Sequence, residues 1–113
     1  MRSDRERFVD ILEAVDKIEN YIHRGRQAFE TDELLQVWVV RHLQIIGEAA
    51  SRVSAETQNR FSEIPWGKMI GMRHVLVHGY FEIDLDIVWS VIENDLRPLK
   101  EKIQAALQNL SGT

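Results

Sequence analysis

Between Asp32 and Val53 apolar side chains recur almost all the way round a helical wheel: Leu34, Leu35, Val37, Trp38, Val39, Val40, Leu43, Ile45, Ile46, Ala49, Ala50 and Val53. A helix lying on the surface of a soluble protein needs one apolar stripe and leaves the opposite side polar. A helix apolar on both sides has two solutions. It runs through the centre of a bundle, or its second face meets another subunit.

The segments around it read as helices that would enclose it. Ser3-Asp4-Arg5-Glu6 has the form of a capping box, a hydroxyl for the first free amides with a Glu three residues on. Phe8, Ile11, Leu12, Val15, Ile18 and Ile22 follow at helical spacing, so a first amphipathic helix is expected up to Gly25. Residues 54–64 are polar and turn-like, with Phe61 as a tether to the core. Pro65 suits the first position of a third helix, where its missing amide is not needed. Trp66, Met69, Ile70, Met72, Val75, Leu76 and Val77 give that helix its apolar content, and Gly79 would end it. Asp84 or Asp86 can cap a fourth helix, whose Leu85, Val88, Trp89, Ile92, Leu96, Leu99, Ile103, Ala106 and Leu110 repeat every three or four residues. Pro98 interrupts this pattern, which predicts a kink near Asn94 to Arg97. With no β-alternation and no internal repeat, residues 1–113 are expected to form one all-α domain, an antiparallel four- to five-helix bundle.

Composition narrows the chemistry available to such a bundle. There is no cysteine among the 113 residues, which excludes disulfide frameworks, thiolate metal sites and cysteine nucleophiles. No apolar run is long enough to cross a bilayer and Met1-Arg-Ser-Asp-Arg-Glu-Arg7 lacks the apolar stretch of a signal peptide, so a soluble cytoplasmic protein without membrane contact is expected. A net charge of −4 argues against broad nucleic-acid binding but leaves room for a locally positive site. One stretch fits that description: Ile64 to Phe81 has no carboxylate, and carries Lys68, Arg73, His74 and His78. A half-buried helix would lack carboxylates too.

Reactive side chains concentrate in Gly71-Met-Arg-His-Val-Leu-Val-His-Gly-Tyr-Phe81. On a helix, His74 and His78 would share a face and suit a divalent metal, with Glu82, Asp84 or Glu48 needed as a further ligand brought in by the fold. No HExxH pattern accompanies them. Alternatively, Arg73 and His78 act on a phosphodiester. Metal-free RNA cleavage needs a group that moves protons to or from the 2′-hydroxyl and the leaving oxygen, and a cation for charge on the phosphoryl oxygens. Histidine can do the first and the planar arginine fork the second. Five residues along a helix turn through about 500°, so the two would converge only if the helix ends near His78 or if two subunits bring their motifs together. Histidines with purely structural partners are a third outcome of the same spacing.

Several separated elements, Ile45-Ile-Gly-Glu-Ala-Ala50, Pro65-Trp66, Ile70-Gly-Met-Arg-His-Val-Leu-Val-His-Gly-Tyr-Phe81, Ile87-Val-Trp89 and Asp95-Leu-Arg-Pro-Leu99, together resemble the HepT-like branch of the HEPN superfamily. The match extends over more than half the chain. The resemblance implies a metal-independent endoribonuclease toxin of a toxin–antitoxin pair that needs no cofactor. It further implies a homodimer with the Arg-x4-His motifs lining a cleft between subunits, and a partner nucleotidyltransferase as antitoxin, with which larger assemblies can form. Arg73 and His78 fall on the family's catalytic Arg and His. Tyr80 falls on the tyrosine that the nucleotidyltransferase modifies with AMP. His74 stands where members usually carry Asn, which puts a titratable ring in place of an amide.

The remaining candidates have readings of their own. Glu48 is the single acid within an apolar stretch, either a solvated or interfacial carboxylate or a partner that orients Arg73 or His74. Gly47 can let two helices approach closely. Trp38, Trp66 and Trp89 each sit on an apolar stripe and are expected in the core, and His23 and His42 have no sequence neighbours that suggest a site. A functional alternative keeps the same fold without catalysis, as a subunit that docks a nucleotide or a nucleotidyltransferase.

Overall fold

A computed structural model describes residues 2–73, 77–78 and 82–110, with the backbone alone for 77, 78 and 82. The capping box forms as the sequence predicts. Ser3 Oγ accepts from the Glu6 amide at 3.1 Å and Glu6 Oε1 accepts from the Ser3 amide at 3.0 Å, opening α1 (Asp4–Ile22). Its stripe of Phe8, Ile11, Val15 and Ile18 is fully buried. Gly25 then takes φ +93°, a left-handed conformation that side-chain-bearing residues rarely adopt, and turns the chain into a short α2 (Arg26–Thr31). The sequence reading did not anticipate α2. It seats Phe29 in the core against Trp89, with ring centroids 5.6 Å apart.

Asp32 caps α3 (Glu33–Ser51) by accepting from the Leu35 amide at 3.2 Å. The two solutions offered for this doubly apolar helix divide along its length. Toward the C-terminus, Leu43, Ile46, Gly47, Ala49 and Ala50 are buried between α1 and α5 (Trp66–Gly71), so that half is central. Toward the N-terminus, Leu34 and Val37 remain 83% and 54% exposed, with Trp38 partly exposed beside Tyr21. Trp38 therefore departs from its expected core position, whereas Trp66 and Trp89 are buried. His42 is buried as well, its Nδ1 lying 2.8 Å from the Trp38 carbonyl oxygen.

Part of the expected turn region is helical, as α4 (Ala55–Arg60). The Asp4 carboxylate accepts from the Ser54 amide, the Ser54 hydroxyl and the Thr57 hydroxyl at 3.0, 2.7 and 2.6 Å, tying the start of α4 to the start of α1. The third helix does not run to Gly79. α5 ends at Gly71, and the chain returns as β1 (Val77–His78) paired antiparallel with β2 (Glu82–Ile83), Val77 opposite Ile83 and His78 opposite Glu82. α6 (Leu85–Asn94), capped by Asp84, and α7 (Leu96–Asn109) complete the described residues. The disruption expected near Asn94 to Arg97 falls at Asp95, the single residue between α6 and α7. Pro98 is the third residue of α7, within the first turn, where amides have no partner inside the helix and proline loses nothing.

Seven helical segments are thus present among the described residues, four of them with ten residues or more, against the expected four or five. Apart from the two-residue ladder, the regular structure among the described residues is all-helical. No described helix is long and apolar enough to cross a membrane.

Candidate functional site

The site begins with the absence of a side chain. A Cβ on Gly47 would lie 2.7 Å from Arg73 Cγ and 2.9 Å from the Met69 carbonyl oxygen. Because position 47 is glycine, the C-terminal end of α5 can press against α3, held there by buried Trp66, Met69 and Met72. Arg73 follows two residues after α5 ends, its amide donating to the Ile70 carbonyl at 3.3 Å. Its backbone is fixed by the helix end and its side chain is laid along α3.

Glu48 meets the guanidinium there. Arg73 Nη1 donates to Glu48 Oε2 at 2.9 Å, with the Ser51 hydroxyl oxygen 3.4 Å away as a weaker acceptor. Ser51 in turn donates to the Glu48 carbonyl at 2.7 Å, which turns its lone pairs toward the arginine. The other carboxylate oxygen, Oε1, accepts from Arg52 Nε at 3.0 Å. Arg73 Nε is buried with no acceptor among the described residues, although the side chain as a whole is 33% exposed. A guanidinium clamped at one edge holds its remaining N–H groups in a fixed plane, so a phosphoryl oxygen that reaches them meets donors already ordered.

Both arginines hold the Glu48 carboxyl below its ordinary pKa, the hydrogen bond from Arg73 first and that from Arg52 second. A depressed folded-state pKa means that the pair is intact above the usual glutamate range and is lost only as pH falls through the lowered value. The arginine anchor therefore does not change between pH 5 and 8, the range in which histidine titrates.

Of the residues singled out from sequence, Arg73 and Glu48 are brought together. The backbone of His78 lies in β1; its side chain, together with His74 and Tyr80, lies outside the described residues. The helical geometry that would have set His74 and His78 on one face for a metal is absent, because α5 stops at Gly71 and His78 is on a strand. The same early end removes the angular mismatch computed for Arg73 and His78 on a continuous helix. Arg52 and Ser51 were not foreseen, although the spacing of Glu48 and Arg52 by one helical turn carried a signal for the first.

Gly47→Ala tests the close approach. One of the two obstructing atoms is backbone, so relief requires α5 to shift; overpacking of this kind costs about 1–3 kcal/mol, more than the roughly 1 kcal/mol of helix propensity that alanine gains. Urea unfolding should show a lower midpoint. An unchanged or raised midpoint would mean that α3 and α5 do not meet this closely.

Comparison with known proteins gives a consistent family. The family model described as "Ribonuclease HepT-like" matches residues 11–106. A Thermococcus cleftensis protein named "Probable ribonuclease HepT" is 35% identical over 104 residues, covering 91% of this chain and 94% of its own. A Methanocaldococcus jannaschii protein, named as a gamma-glutamylcyclotransferase and candidate RNase, is 35% identical over 112 residues, 97% of this chain but 50% of its own; the chain thus spans about half of that relative. A candidate RNase of Caldanaerobacter subterraneus is 35% identical over 80 residues, 71% of each chain. No solved structure matches.

Proposed function

The chain belongs to the HepT-like ribonuclease family, and from that premise we propose that it is an endoribonuclease that cleaves RNA without a metal ion through Arg73 and His78. The observation that carries the proposal is the clamped guanidinium, with Arg73 fixed by Glu48 at the corner of α3 and α5 five residues ahead of His78. In the reaction the 2′-oxygen attacks the adjacent phosphorus, the bond to the 5′-oxygen breaks, and a cyclic phosphate and a 5′-hydroxyl result. His78 moves protons to or from these oxygens, and Arg73 takes the charge that builds on the phosphoryl oxygens. Glu48 positions Arg73, and His74, the next residue in the sequence, has an imidazole that can serve as a further hydrogen-bonding group.

Two copies of the chain form the working unit in this proposal. Leu34, Val37 and Trp38 expose apolar surface along α3, next to a groove of about 740 Å³ lined by Val37, Arg41, Gln44 and Ile83. Gln44 lies one turn before Glu48 on the same side of the helix, so a second copy seated there would bring its own motif toward the first. The experiment that tests the activity is incubation of the purified chain with RNA in EDTA. Cleavage that disappears in Arg73→Ala and His78→Ala supports the enzyme; intact RNA alongside tight binding of a nucleotidyltransferase supports the non-catalytic subunit instead.

Control of the toxin is assigned to Tyr80. An AMP group on its hydroxyl adds a phosphodiester charge and a bulky base two residues beyond His78 in the sequence, opposing the RNA phosphate that Arg73 holds. Tyr80→Phe removes only the acceptor oxygen. Co-produced with its nucleotidyltransferase, the variant should escape silencing and lack the AMP mass increment found on the wild type. An equal increment on both proteins would place the modification elsewhere.

A further inference from the structure

We propose that Arg52 is a second phosphate-binding side chain, which seats the RNA phosphate next to the one held by Arg73. This rests on the ribonuclease reading above and extends it from the reacting phosphate to the neighbouring part of the strand. Glu48 holds two guanidinium groups at once, Arg73 on Oε2 at 2.9 Å and Arg52 on Oε1 at 3.0 Å from both Nε and Nη2. Two cations on the two oxygens of one carboxylate are near neighbours. Among these three groups two positive charges share one negative charge, so the pair of guanidinium groups is only partly neutralised by Glu48.

The two arginines are held differently, and the difference suits two roles. Arg73 is the deeper, with Nε buried, whereas the Arg52 side chain is 60% exposed. Arg52 Nε and Nη2 face Glu48, which leaves the Nη1 edge without an acceptor among the described residues. Its backbone is fixed as well: Arg52 caps α3, its amide donating to the carbonyls of Ala49 and Ala50. Successive phosphates along a strand present charges in sequence, and a pair of pre-ordered planar forks matches two of them better than a single ion.

The test uses the full chain, with Arg52→Gln and Arg52→Lys, and a short single-stranded RNA whose 2′-O-methyl groups prevent cleavage. Fluorescence anisotropy over a salt series should show Arg52→Gln binding about three- to tenfold more weakly, as expected for one charged hydrogen bond at an exposed site. The slope of log affinity against log salt should become shallower by about 0.7, the share of one phosphate contact on a single strand. With cleavable RNA, KM should rise by the same factor while kcat stays within about twofold, because the contact is made equally in ground and transition states. Arg52→Lys should restore the salt slope and only part of the affinity. Wild-type binding and slope in Arg52→Gln would overturn the proposal while leaving the ribonuclease intact. So would a collapse of kcat at unchanged KM, which would mean that Arg52 acts only through Glu48 on Arg73. A wild-type chain that neither binds nor cleaves RNA would remove the ribonuclease reading and this proposal together.

Discussion

Arg73→Lys should lose cleavage by a factor on the order of 10²–10³, the usual consequence of removing one donor to a developing oxyanion. The substitution keeps the positive charge. It also keeps a cation within reach of Glu48, so the ion pair at the corner of α3 and α5 can re-form and the melting temperature should move by no more than a few degrees. What it removes is the planar fork. A guanidinium can hold Glu48 through Nη1 and offer another edge to phosphate, whereas an ammonium concentrates its charge at one point and is drawn to Glu48 itself. Single-turnover cleavage of a defined RNA, set beside a thermal melt, checks both halves. Near-wild-type cleavage would strip Arg73 of its role, and a large loss of stability would make it a structural residue.

The second large effect is expected at His78. His78→Ala should slow cleavage on the order of 10²–10⁴-fold, the range for loss of a positioned general acid or base. The pH profile should change in shape as well as height. Because Glu48 is held ionised well below neutrality by its two arginines, it supplies no limb between pH 5 and 8. A limb there belongs to histidine and should vanish with His78, unless His74 supplies another. His78→Ala that cleaves at the wild-type rate with an unaltered profile would contradict the assignment.

What could be read from the sequence follows from how local each determinant is. The caps at Ser3, Asp32 and Asp84 act within three residues; the Ser3 box forms as expected, and of the two candidates Asp84 and Asp86 it is Asp84 that caps α6. The six residues of α2 are too few to display a period, and its one buried apolar residue, Phe29, has its partner Trp89 far along the chain. Val75, Leu76 and Val77 form a short apolar run, which suits helix and strand alike. Of these, Val77 pairs in β1 opposite Ile83. The proline at 98 was located correctly as a disruption, but whether it kinks a helix or begins one depends on where the preceding helix ends. Asp95 alone separates the two helices, its amide bonding back to Val91 and its carbonyl accepting from Leu99.

The candidate site divides in the same way. Residue types and spacing mark Arg73, His74, His78 and Tyr80 as a group, but nothing within that segment says that Arg73 is met by an acid 25 positions earlier. Glu48 stood out as a lone charge among apolar neighbours, with pairing to Arg73 or His74 as one of two readings, and it is Arg73 that it meets. Gly47 explains why it can reach: without a side chain there, Arg73 Cγ packs directly against α3 and the guanidinium arrives beside the next residue. The contact is a property of helix packing, which sequence spacing does not encode. Arg52 was within reach of a local rule, one helical turn from Glu48, yet its importance appears only once both arginines are seen on the same carboxylate.

The central claim is that this chain cleaves RNA by attack of the 2′-oxygen, with Arg73 and His78 and no metal. The most direct measurement compares two otherwise identical oligonucleotides in EDTA, one all-RNA and one with a single 2′-deoxy sugar at the cleaved position. The account predicts that the first is cut to a cyclic phosphate and a 5′-hydroxyl by wild type and not by Arg73→Ala or His78→Ala, and that the second stays whole at that position. Cleavage of the deoxy substrate at the same bond, or cleavage of the RNA only when a divalent metal is restored, would contradict it.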